Sequence, residues 1–465
     1  MSSQIDTTLP STDVLAGIAG RVIRPDDPSY DQARGVFYGG IDKHPSAIVR
    51  VENVGDVQRV VAIARDRGIE LAVRSGGHSI AGHSTSEGGL VIDLRSMAKV
   101  DVDPASRTAW VETGATALQV TEAAANHGLV IGFGDAGSVG VGGITLGGGI
   151  GFLVRKFGLT IDSVLAAEVV TADGRFLRVD ADHYPDLFWA IRGGGGNFGV
   201  VTRLRFQLHP LPQFTGGVLL LPATPDTIVG FVEAAMAAPE ELSAIGNVMP
   251  APPLPFLPQE VHGQLVIFGM IAYAGDSASA RRALAPFRAL ATPLADLVKE
   301  QPYAAMYPPQ DPSVHPMAVG RTMFADGVDR ALAATILDRL VSSDAPMRAV
   351  QLRVLGGAAS RVPADATAYA HRSKRMLVNV AAFYAAPGER QARAQWVADL
   401  ARAVQPNDSS AYVGFLGDEG DARVRDAYPG KTWDRLASVK AAYDPSNLFR
   451  LNQNVRPNRS ARTAS

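Results

Sequence analysis

The sequence concentrates glycine in three short clusters, all in the first half of the chain. They occupy residues 74–79, 137–151 and 192–199. Because each glycine loses much backbone entropy on folding, such clusters need a structural reason. Any one cluster has two equally good explanations. It can form tight turns and bulges, or it can let backbone N–H groups converge on an anion. Three clusters in one region favour the anion-binding explanation. They predict a long ligand that carries a pyrophosphate.

The rest of the composition narrows the class of protein by exclusion. The chain has 465 residues, 46% of them hydrophobic, and a formal net charge of -2, which indicates neither a nucleic-acid nor a membrane-surface binder. It contains no cysteine, which excludes disulfides and thiolate metal sites. Residues 1–10 lack the features of a signal peptide, and no apolar run approaches the roughly 20 residues of a membrane span. We therefore expect a cytoplasmic protein without a metal site.

Hydrophobic periodicity predicts alternating helices and strands over the first 210 residues. Helices are expected at residues 56–67, 117–126 and 186–191, strands at 71–74, 89–94 and 108–112, and a hairpin at 164–179. Beyond a boundary at residues 209–212 the pattern is mixed. There we predict a helix at 277–285, with Asp276 as its N-cap and Pro286 just beyond its end. Strands are expected at residues 264–271, 349–355 and 377–383.

A Rossmann-type nucleotide fold is the competing interpretation of the second glycine cluster. That fold needs glycine at the first, third and sixth positions between a strand and a helix. The run that begins at Gly140 has Thr145 at the sixth position, and a long helix there would meet the glycines at 147–149. The Rossmann interpretation is therefore weak.

Taken in order, the motifs resemble those of the FAD-linked oxidases of the vanillyl-alcohol oxidase superfamily, in the branch similar to berberine bridge enzyme. Residues 74–79 resemble that family's pyrophosphate loop with its flavin-attachment histidine, residues 140–159 its second flavin loop, and residues 185–199 its third. Residues 443–454 resemble the segment that returns to the flavin. The likeness covers nearly the whole chain.

This resemblance implies an α+β protein with a two-domain, PCMH-type FAD-binding fold. Residues 1–212 would form the FAD-binding domain, residues 213–411 a substrate domain whose antiparallel sheet covers the flavin, and residues 412–465 the returning segment. The implied cofactor-binding residues are His78, Arg74, Ser75, Gly76, Gly77, Ser79, Val139, Gly140, Gly142, Gly143, Gly147, Gly148, Gly149, Gly196, Asn197, Gly199, Val200, Val201, Asn452 and Asn454.

The resemblance also implies how the flavin is attached. In the family, the histidine at the position of His78 is bonded to the 8α-methyl group of the flavin. His83 is the nearest competitor, but no glycine pair precedes it. Many relatives form a second bond from a cysteine at the position of Ala136. Since this chain has no cysteine, the expected link is a single one through His78.

Residue 139 is implied to control the access of dioxygen. Relatives with a small residue at this position are oxidases, and relatives with leucine are dehydrogenases. Val139 therefore favours an oxidase, although a β-branched strand residue without any special role is the simpler interpretation.

The predicted substrate pocket rests on polar residues in apolar strands. Gln351 and Arg353 share one face of a predicted strand. Asn379 lies in a second predicted strand, and Tyr384 follows it. Alternate residues of a strand face the same side, so these side chains point either into a pocket or to solvent. We predict that they line the pocket together with Phe415.

The catalytic base of the family is altered in this chain. Alcohol-oxidising relatives use a tyrosine of a Tyr-x-Asn-Tyr motif, and the corresponding residues 412–415 end in Phe415. Phenylalanine cannot accept a proton, which leaves Tyr412 as the candidate base. A neutral amine or a phenol, which needs no strong base, becomes a better substrate candidate.

The predicted function is that of an FAD-dependent oxidase. It would transfer a hydride from a small alcohol or amine, a secondary metabolite or sugar-like molecule, to flavin N5, with dioxygen as acceptor and hydrogen peroxide as product. The alternatives are a dehydrogenase or flavin oxygenase with the same fold, and a non-catalytic flavin-binding protein. The expected partners are a small-molecule substrate and dioxygen, without nucleic acid or membrane, in a monomer or homodimer.

Overall fold

The computed structural model describes residues 14–405 and 409–458. The residues on which the signal-peptide expectation rests lie outside these ranges. Within them, the strands of the first half are β1 (Arg21–Ile23), β2 (Ala47–Arg50), β3 (Leu71–Arg74), β4 (Leu90–Asp93), β5 (Val100–Asp103), β6 (Thr108–Glu112), β7 (Leu129–Val130), β8 (Val164–Val170), β9 (Phe176–Val179), β10 (Val200–Gln207) and β11 (His209–Pro210). The helices are α1 (Tyr30–Arg34), α2 (Val54–Arg67), α3 (Ala117–Ala125), α4 (Val141–Leu146), α5 (Val154–Phe157) and α6 (Pro185–Ile191).

The first sheet is small and largely parallel. Its order is β1-β2-β4-β3, and β4 pairs in parallel with both of its neighbours. Parallel strands are covered on both faces, which is why every residue of β4 is buried. Helix α2 packs on this sheet. The Asn53 side chain caps its start by accepting a hydrogen bond from Asp56, and Gly68, at a φ of 66°, ends it. The first glycine cluster begins where β3 ends.

The second sheet is antiparallel, in the order β5-β6-β10-β8-β9. The predicted hairpin is confirmed, since Val170 of β8 lies opposite Phe176 of β9. Helices α3 and α6 pack on this sheet through Val120 and Leu187. The second glycine cluster lies between β7 and α5, and the third between α6 and β10. All three glycine clusters thus lie in connections that follow or precede strands of the first half.

The second half is built on one large antiparallel sheet. Its strands are β12 (Thr215–Pro222), β13 (Leu242–Pro250), β14 (Leu265–Tyr273), β15 (Ala295–Asp296), β16 (Lys299–Glu300), β17 (Met317–Ala325), β18 (Arg348–Val354) and β19 (Met376–Tyr384). The order is β15-β12-β14-β13-β18-β19-β17, and β16 also pairs with β12. The helices are α7 (Pro225–Ala237), α8 (Ser277–Arg288), α9 (Arg330–Val341), α10 (Ala358–Arg361), α11 (Arg390–Val404), α12 (Asp421–Ala427) and α13 (Lys431–Tyr443).

The two faces of the large sheet have different neighbours. In β19, Val378, Val380 and Ala382 are buried in a core that includes residues of α7, α8, α9 and α11. The alternate residues of β19 point to the opposite face, where Asn379 and Phe383 line a cavity. Four helices therefore cover one face, and the other face is turned towards the glycine clusters.

The α+β architecture with an antiparallel sheet agrees with the fold predicted from the sequence. Asp276 caps α8 as predicted, but Pro286 lies inside this helix instead of beyond its end. A proline removes one helical hydrogen bond. The helix nevertheless continues past it, and its next residue, Phe287, is buried in the core. No helix within the described ranges is long and apolar enough to cross a bilayer. The domain limits at residues 212 and 411 remain a prediction.

Candidate active site

A cavity of about 560 Å³ lies between the glycine clusters and the large sheet. All three clusters contribute to its lining, as do strands β17, β18 and β19 and the segment around Asn452. Among the described residues that line it there is no lysine or arginine. An anionic group bound here would therefore be held by backbone N–H groups instead of cationic side chains.

The first two glycine clusters touch each other at Gly76 and Gly140. A Cβ atom on Gly76 would lie 2.2 Å from the backbone nitrogen of Gly140, and one on Gly140 would lie 2.1 Å from that of Gly76. No side chain fits at either position. The Ser75 hydroxyl strengthens the crossing because it accepts a hydrogen bond from the Gly142 N–H at 3.3 Å and donates one to a backbone carbonyl of Thr113.

His78 lies against the cavity in a defined orientation. Its ring stacks on Phe37 at 4.0 Å between centroids, and its Nε2 is 3.0 Å from the Ser138 hydroxyl. Burial lowers the pKa of His78 to about 4, so the imidazole is neutral at pH 7 and keeps a nucleophilic lone pair. His83 also lines the cavity, and burial likewise lowers its pKa to about 4.

The structure brings most of the predicted site residues together. The lining includes Ser75, Gly76, Gly77, His78, Ser79, Val139, Gly140, Gly142, Gly143, Gly147, Gly196, Gly199, Val201, Gln351, Asn379, Tyr412, Phe415 and Asn452. It does not include Arg74, Gly148, Gly149, Asn197, Val200, Arg353, Tyr384 or Asn454.

Arg74, one of the residues outside the lining, supports the first glycine cluster from behind. Its guanidinium is buried and donates to backbone carbonyls of Ala33, Arg34 and Ser84. Burial lowers the pKa of Arg74 to about 10. Arg74 therefore shapes the cavity without facing it.

Asn197 supports the third glycine cluster in a similar way. Its side-chain amide donates to the carbonyls of Gly194 and Gln453 at 2.8 and 3.0 Å. Gln453 belongs to the carboxy-terminal segment and lines the cavity. Asn197 thereby ties the third glycine cluster to that segment.

Tyr384 is a correction to the predicted substrate pocket. It lies five residues from Asn379 on β19, and an odd separation along a strand puts two side chains on opposite faces. Tyr384 is accordingly buried in the core beneath the sheet. Arg353, also predicted to line the pocket, is 1% exposed and lies behind the lining. Its guanidinium bonds Asp135, Gln351 and the backbone carbonyl of Ile150.

The sequence analysis missed Asp135, which lines the cavity. Its signal was a carboxylate directly before Ala136, at the start of the second glycine cluster. Tyr38, another residue of the lining, was also missed because no periodic pattern marks its loop. Burial, and to a lesser degree the charge of Asp135, raises the pKa of Tyr38 to about 12.

Tyr412, the predicted base, is buried and lines the cavity. Its hydroxyl oxygen accepts a hydrogen bond from the Gly149 N–H at 3.0 Å. Burial raises the pKa of Tyr412 to about 12, so the phenol is protonated at pH 7. Phe415 packs edge-on against its ring at 5.2 Å. This environment suits a positioning side chain better than a proton acceptor.

The side chains around the cavity fit a flavin dinucleotide. The side-chain oxygen of Asn452, a residue of the lining, is buried and has no hydrogen-bond partner among the described residues, although an unpaired buried polar group is unfavourable. A Cβ atom added at Gly143 or Gly196 would have no atom within 4 Å beyond those of its own local backbone, so the backbone there is open to a ligand. An unpaired amide oxygen and open glycine backbone suit a polar cofactor that lies across these loops.

Comparisons with known proteins agree with this geometry. Residues 45–180 match a family model described as an FAD binding domain, and residues 411–456 match one described as berberine and berberine like. The chain is 31% identical to (R)-6-hydroxynicotine oxidase of Paenarthrobacter nicotinovorans, over 98% of this chain and 99% of that protein. It is 30% identical to an uncharacterised FAD-linked oxidoreductase of Bacillus subtilis, over 95% and 99%.

Solved structures show the same fold. The crystal structure of 6-hydroxy-D-nicotine oxidase from Arthrobacter nicotinovorans has a TM-score of 0.84 at 27% identity and covers 97% of this chain and 100% of its own. A berberine-bridge-like protein of Physcomitrella patens has a TM-score of 0.84 at 24% identity, over 96% and 98%. The fold and the site therefore define an FAD-linked oxidoreductase with two domains. Within that class, the chain belongs to the berberine-bridge-enzyme-like family of FAD-linked oxidases.

Proposed function

We propose that this protein carries one FAD, bonded covalently to His78, and oxidises a small alcohol or amine at the expense of dioxygen. The observation that carries the proposal is the position of His78, a neutral imidazole at the wall of a glycine-lined cavity. When bound, the flavin accepts a hydride from a substrate C–H bond and passes the electrons to dioxygen, which is released as hydrogen peroxide. Residues 1–212 and 412–465 form the cofactor domain in this proposal, and residues 213–411 form the substrate domain.

His78 and Ser138 prepare the attachment site. The Ser138 hydroxyl and the Phe37 ring hold the imidazole in one orientation, and burial keeps it unprotonated at neutral pH. Ala136 stands where many relatives have a second attachment point, and its methyl group cannot form a bond to a flavin. These features support a single covalent link.

The glycine clusters and Asn452 account for binding of the dinucleotide. No lysine or arginine is present among the described lining residues, so the pyrophosphate would rely on backbone N–H groups. The unpaired carbonyl oxygen of the Asn452 amide would accept a hydrogen bond from the cofactor. The aliphatic side chain of Val139 in the lining leaves more room than leucine would, which supports dioxygen as the acceptor.

The substrate class follows from the two residues that correspond to the family's base motif, Tyr412 and Phe415. Tyr412 stays protonated at neutral pH because its pKa is raised to about 12, and Phe415 offers no proton acceptor. A substrate whose C–H bond is activated by an adjacent nitrogen does not need deprotonation by either residue. The relative with 31% identity is named as an oxidase of 6-hydroxynicotine, which supports an amine over a sugar.

The experiment that tests the proposal measures whether the yellow flavin stays with the protein after denaturation. Acid-precipitated protein should stay yellow, and one peptide, the one that contains His78, should carry the flavin mass. In His78→Ala, any flavin should be released on denaturation. His83→Ala is the matched control, because His83 is the other histidine of the lining, and this variant should keep the bound colour. Complete release of FAD from wild-type protein would contradict the covalent link.

Peroxide release tests the acceptor. Anaerobic protein is screened for flavin bleaching against amines, alcohols, sugars and phenols, and the compound that bleaches is then turned over in air. Stoichiometric hydrogen peroxide is expected. Turnover that needs an added artificial acceptor would identify a dehydrogenase instead.

A further inference from the structure

Asp135 is the one side chain with a formal charge among the described residues that line the cavity. The other titratable groups of the lining are histidines and tyrosines. His78 and His83 are neutral at pH 7 because burial lowers the pKa of each to about 4, and Tyr38 and Tyr412 are neutral because their pKa is raised to about 12. A ligand in the protein part of this cavity meets a single negative charge.

The carboxylate of Asp135 is fixed on one side and free on the other. Its Oδ2 bonds the guanidinium of Arg353, which is 1% exposed, while the Asp135 side chain is 26% exposed. The other carboxylate oxygen accepts no hydrogen bond among the described residues. Arg353 thus anchors the carboxylate from behind, and the free oxygen is presented to the cavity.

The anchor also places Asp135 on the substrate-domain side of the cavity. Arg353 belongs to β18 of the large sheet and donates a second hydrogen bond to Gln351 at 2.9 Å. Gln351 lines the cavity and lies opposite Asn379 in the register of β18 and β19. Asp135 therefore stands where the second glycine cluster meets the polar patch of the sheet, and not among the glycines that would hold a dinucleotide.

We propose that Asp135 binds a cationic nitrogen of the substrate, separate from the neutral nitrogen beside the oxidised C–H bond, and selects substrates with such a cation over neutral alcohols and over carboxylates. This inference rests on the proposed function and names the substrate class of the same site. Gln351 and Asn379, which are neutral and adjacent, complete a pocket for a protonated or N–H-bearing group. Arg353 does not attract anions, since it is 1% exposed behind Asp135 and its two Nη groups donate to three acceptors.

Three probes of nearly equal shape and different charge test the proposal without turnover. Benzamidine is a cation at pH 7, benzamide is neutral and benzoate is an anion. Their dissociation constants are measured on flavin-loaded protein from the perturbation of the flavin absorbance. Wild-type protein should bind benzamidine at least tenfold more tightly than benzamide, and benzoate most weakly. Equal binding of benzamidine and benzamide, or preference for benzoate, would overturn the proposal.

Variants assign the preference to Asp135. Asp135→Asn should bring the benzamidine-to-benzamide ratio to within about twofold of unity, and Asp135→Glu should restore part of the preference. Asp182→Asn is the matched control, since Asp182 is exposed and outside the lining. A cation preference that survives in Asp135→Asn would refute the assignment. Absence of peroxide with every substrate would refute the proposed oxidase and leave these binding ratios intact, so the two failures are distinguishable.

Discussion

Tyr412 shows how one buried hydroxyl can join two distant segments of the chain. Its ring is packed between Tyr369 and Phe415, at 6.2 and 5.2 Å between centroids. Its hydroxyl oxygen is the acceptor for the Gly149 N–H, which lies in the second glycine cluster. The residue therefore connects the carboxy-terminal segment to a loop of the cavity, and a protonated phenol is sufficient for that role.

Removal of this hydroxyl should affect stability more than catalysis. Tyr412→Phe leaves the buried Gly149 N–H without its acceptor, which is expected to lower the free energy of unfolding by about 1–3 kcal/mol. The rate of flavin reduction should fall less than about fivefold, because no proton transfer to this oxygen is required. Urea unfolding and anaerobic stopped-flow reduction measure the two effects.

Tyr369→Phe is the control for that measurement, because the Tyr369 hydroxyl makes no hydrogen bond among those described. It should change stability by less than Tyr412→Phe does. A loss of several orders of magnitude in the reduction rate of Tyr412→Phe, with normal stability, would instead identify Tyr412 as the base.

Among the loops and helices, the crossing of two glycine clusters decides whether the cavity exists. Gly76 and Gly140 approach each other so closely that neither can carry a Cβ atom. Gly143, in helix α4, has no atom within 4 Å of an added Cβ beyond those of its own local backbone and lines the cavity. Gly140 is thus needed by the protein fold, while Gly143 is left open for a ligand.

This difference predicts opposite effects of two alanine substitutions. Gly140→Ala should lower the thermal midpoint, because its Cβ would overlap the Gly76 backbone. Gly143→Ala should leave the midpoint of flavin-free protein unchanged or raise it, since alanine is favoured over glycine in a helix by up to about 1 kcal/mol. Its methyl group would nevertheless enter the cavity and reduce the fraction of chains that carry flavin. The ratio of flavin to protein absorbance measures this fraction, and normal loading of Gly143→Ala would show that the cofactor does not approach α4.

Across the molecule as a whole, a buried ion pair helps to hold the carboxy-terminal segment against the first half. Lys440 and Asp444 are both fully buried, with 2.7 Å between Nζ and Oδ2. The ammonium also donates to the carbonyls of Asn197 and Phe449. The carboxylate accepts from the backbone N–H groups of Leu448 and Phe449. This pair locks α13 to the third glycine cluster and to the segment that follows the helix.

Breaking the pair should loosen both contacts. Asp444→Asn leaves an uncompensated ammonium in the interior, and the loss of one partner of a buried pair typically lowers the free energy of unfolding by about 3–5 kcal/mol. The fraction of flavin-loaded chains should fall as well, because Phe449, whose N–H donates to Asp444, also supplies the carbonyl that holds the Asn452 side chain. Asp421→Asn is the control, since its pair with Arg456 is mostly exposed and should contribute under about 1 kcal/mol. Equal stability of the two variants would contradict the role of the pair.

Local features of this protein could be predicted from the order of its residues. Apolar runs that end in glycine predict strands that lead into tight loops, and β3 and β6 have the predicted limits. The motif at residues 74–79 resembles the family's pyrophosphate loop, and this resemblance implies His78 as the attachment residue. Such features depend on neighbours in the chain, and these neighbours are visible in the sequence.

Contacts between distant parts of the chain are determined only by the tertiary structure. The pair of Asp135 and Arg353 joins residues 218 positions apart, and no periodic pattern encodes such a contact. The face of β19 that Tyr384 occupies follows from which side the helices cover, which local composition does not reveal. A glycine cluster predicts a close backbone approach, whereas its partner in that approach is chosen only when the sheets pack and bring the loops together.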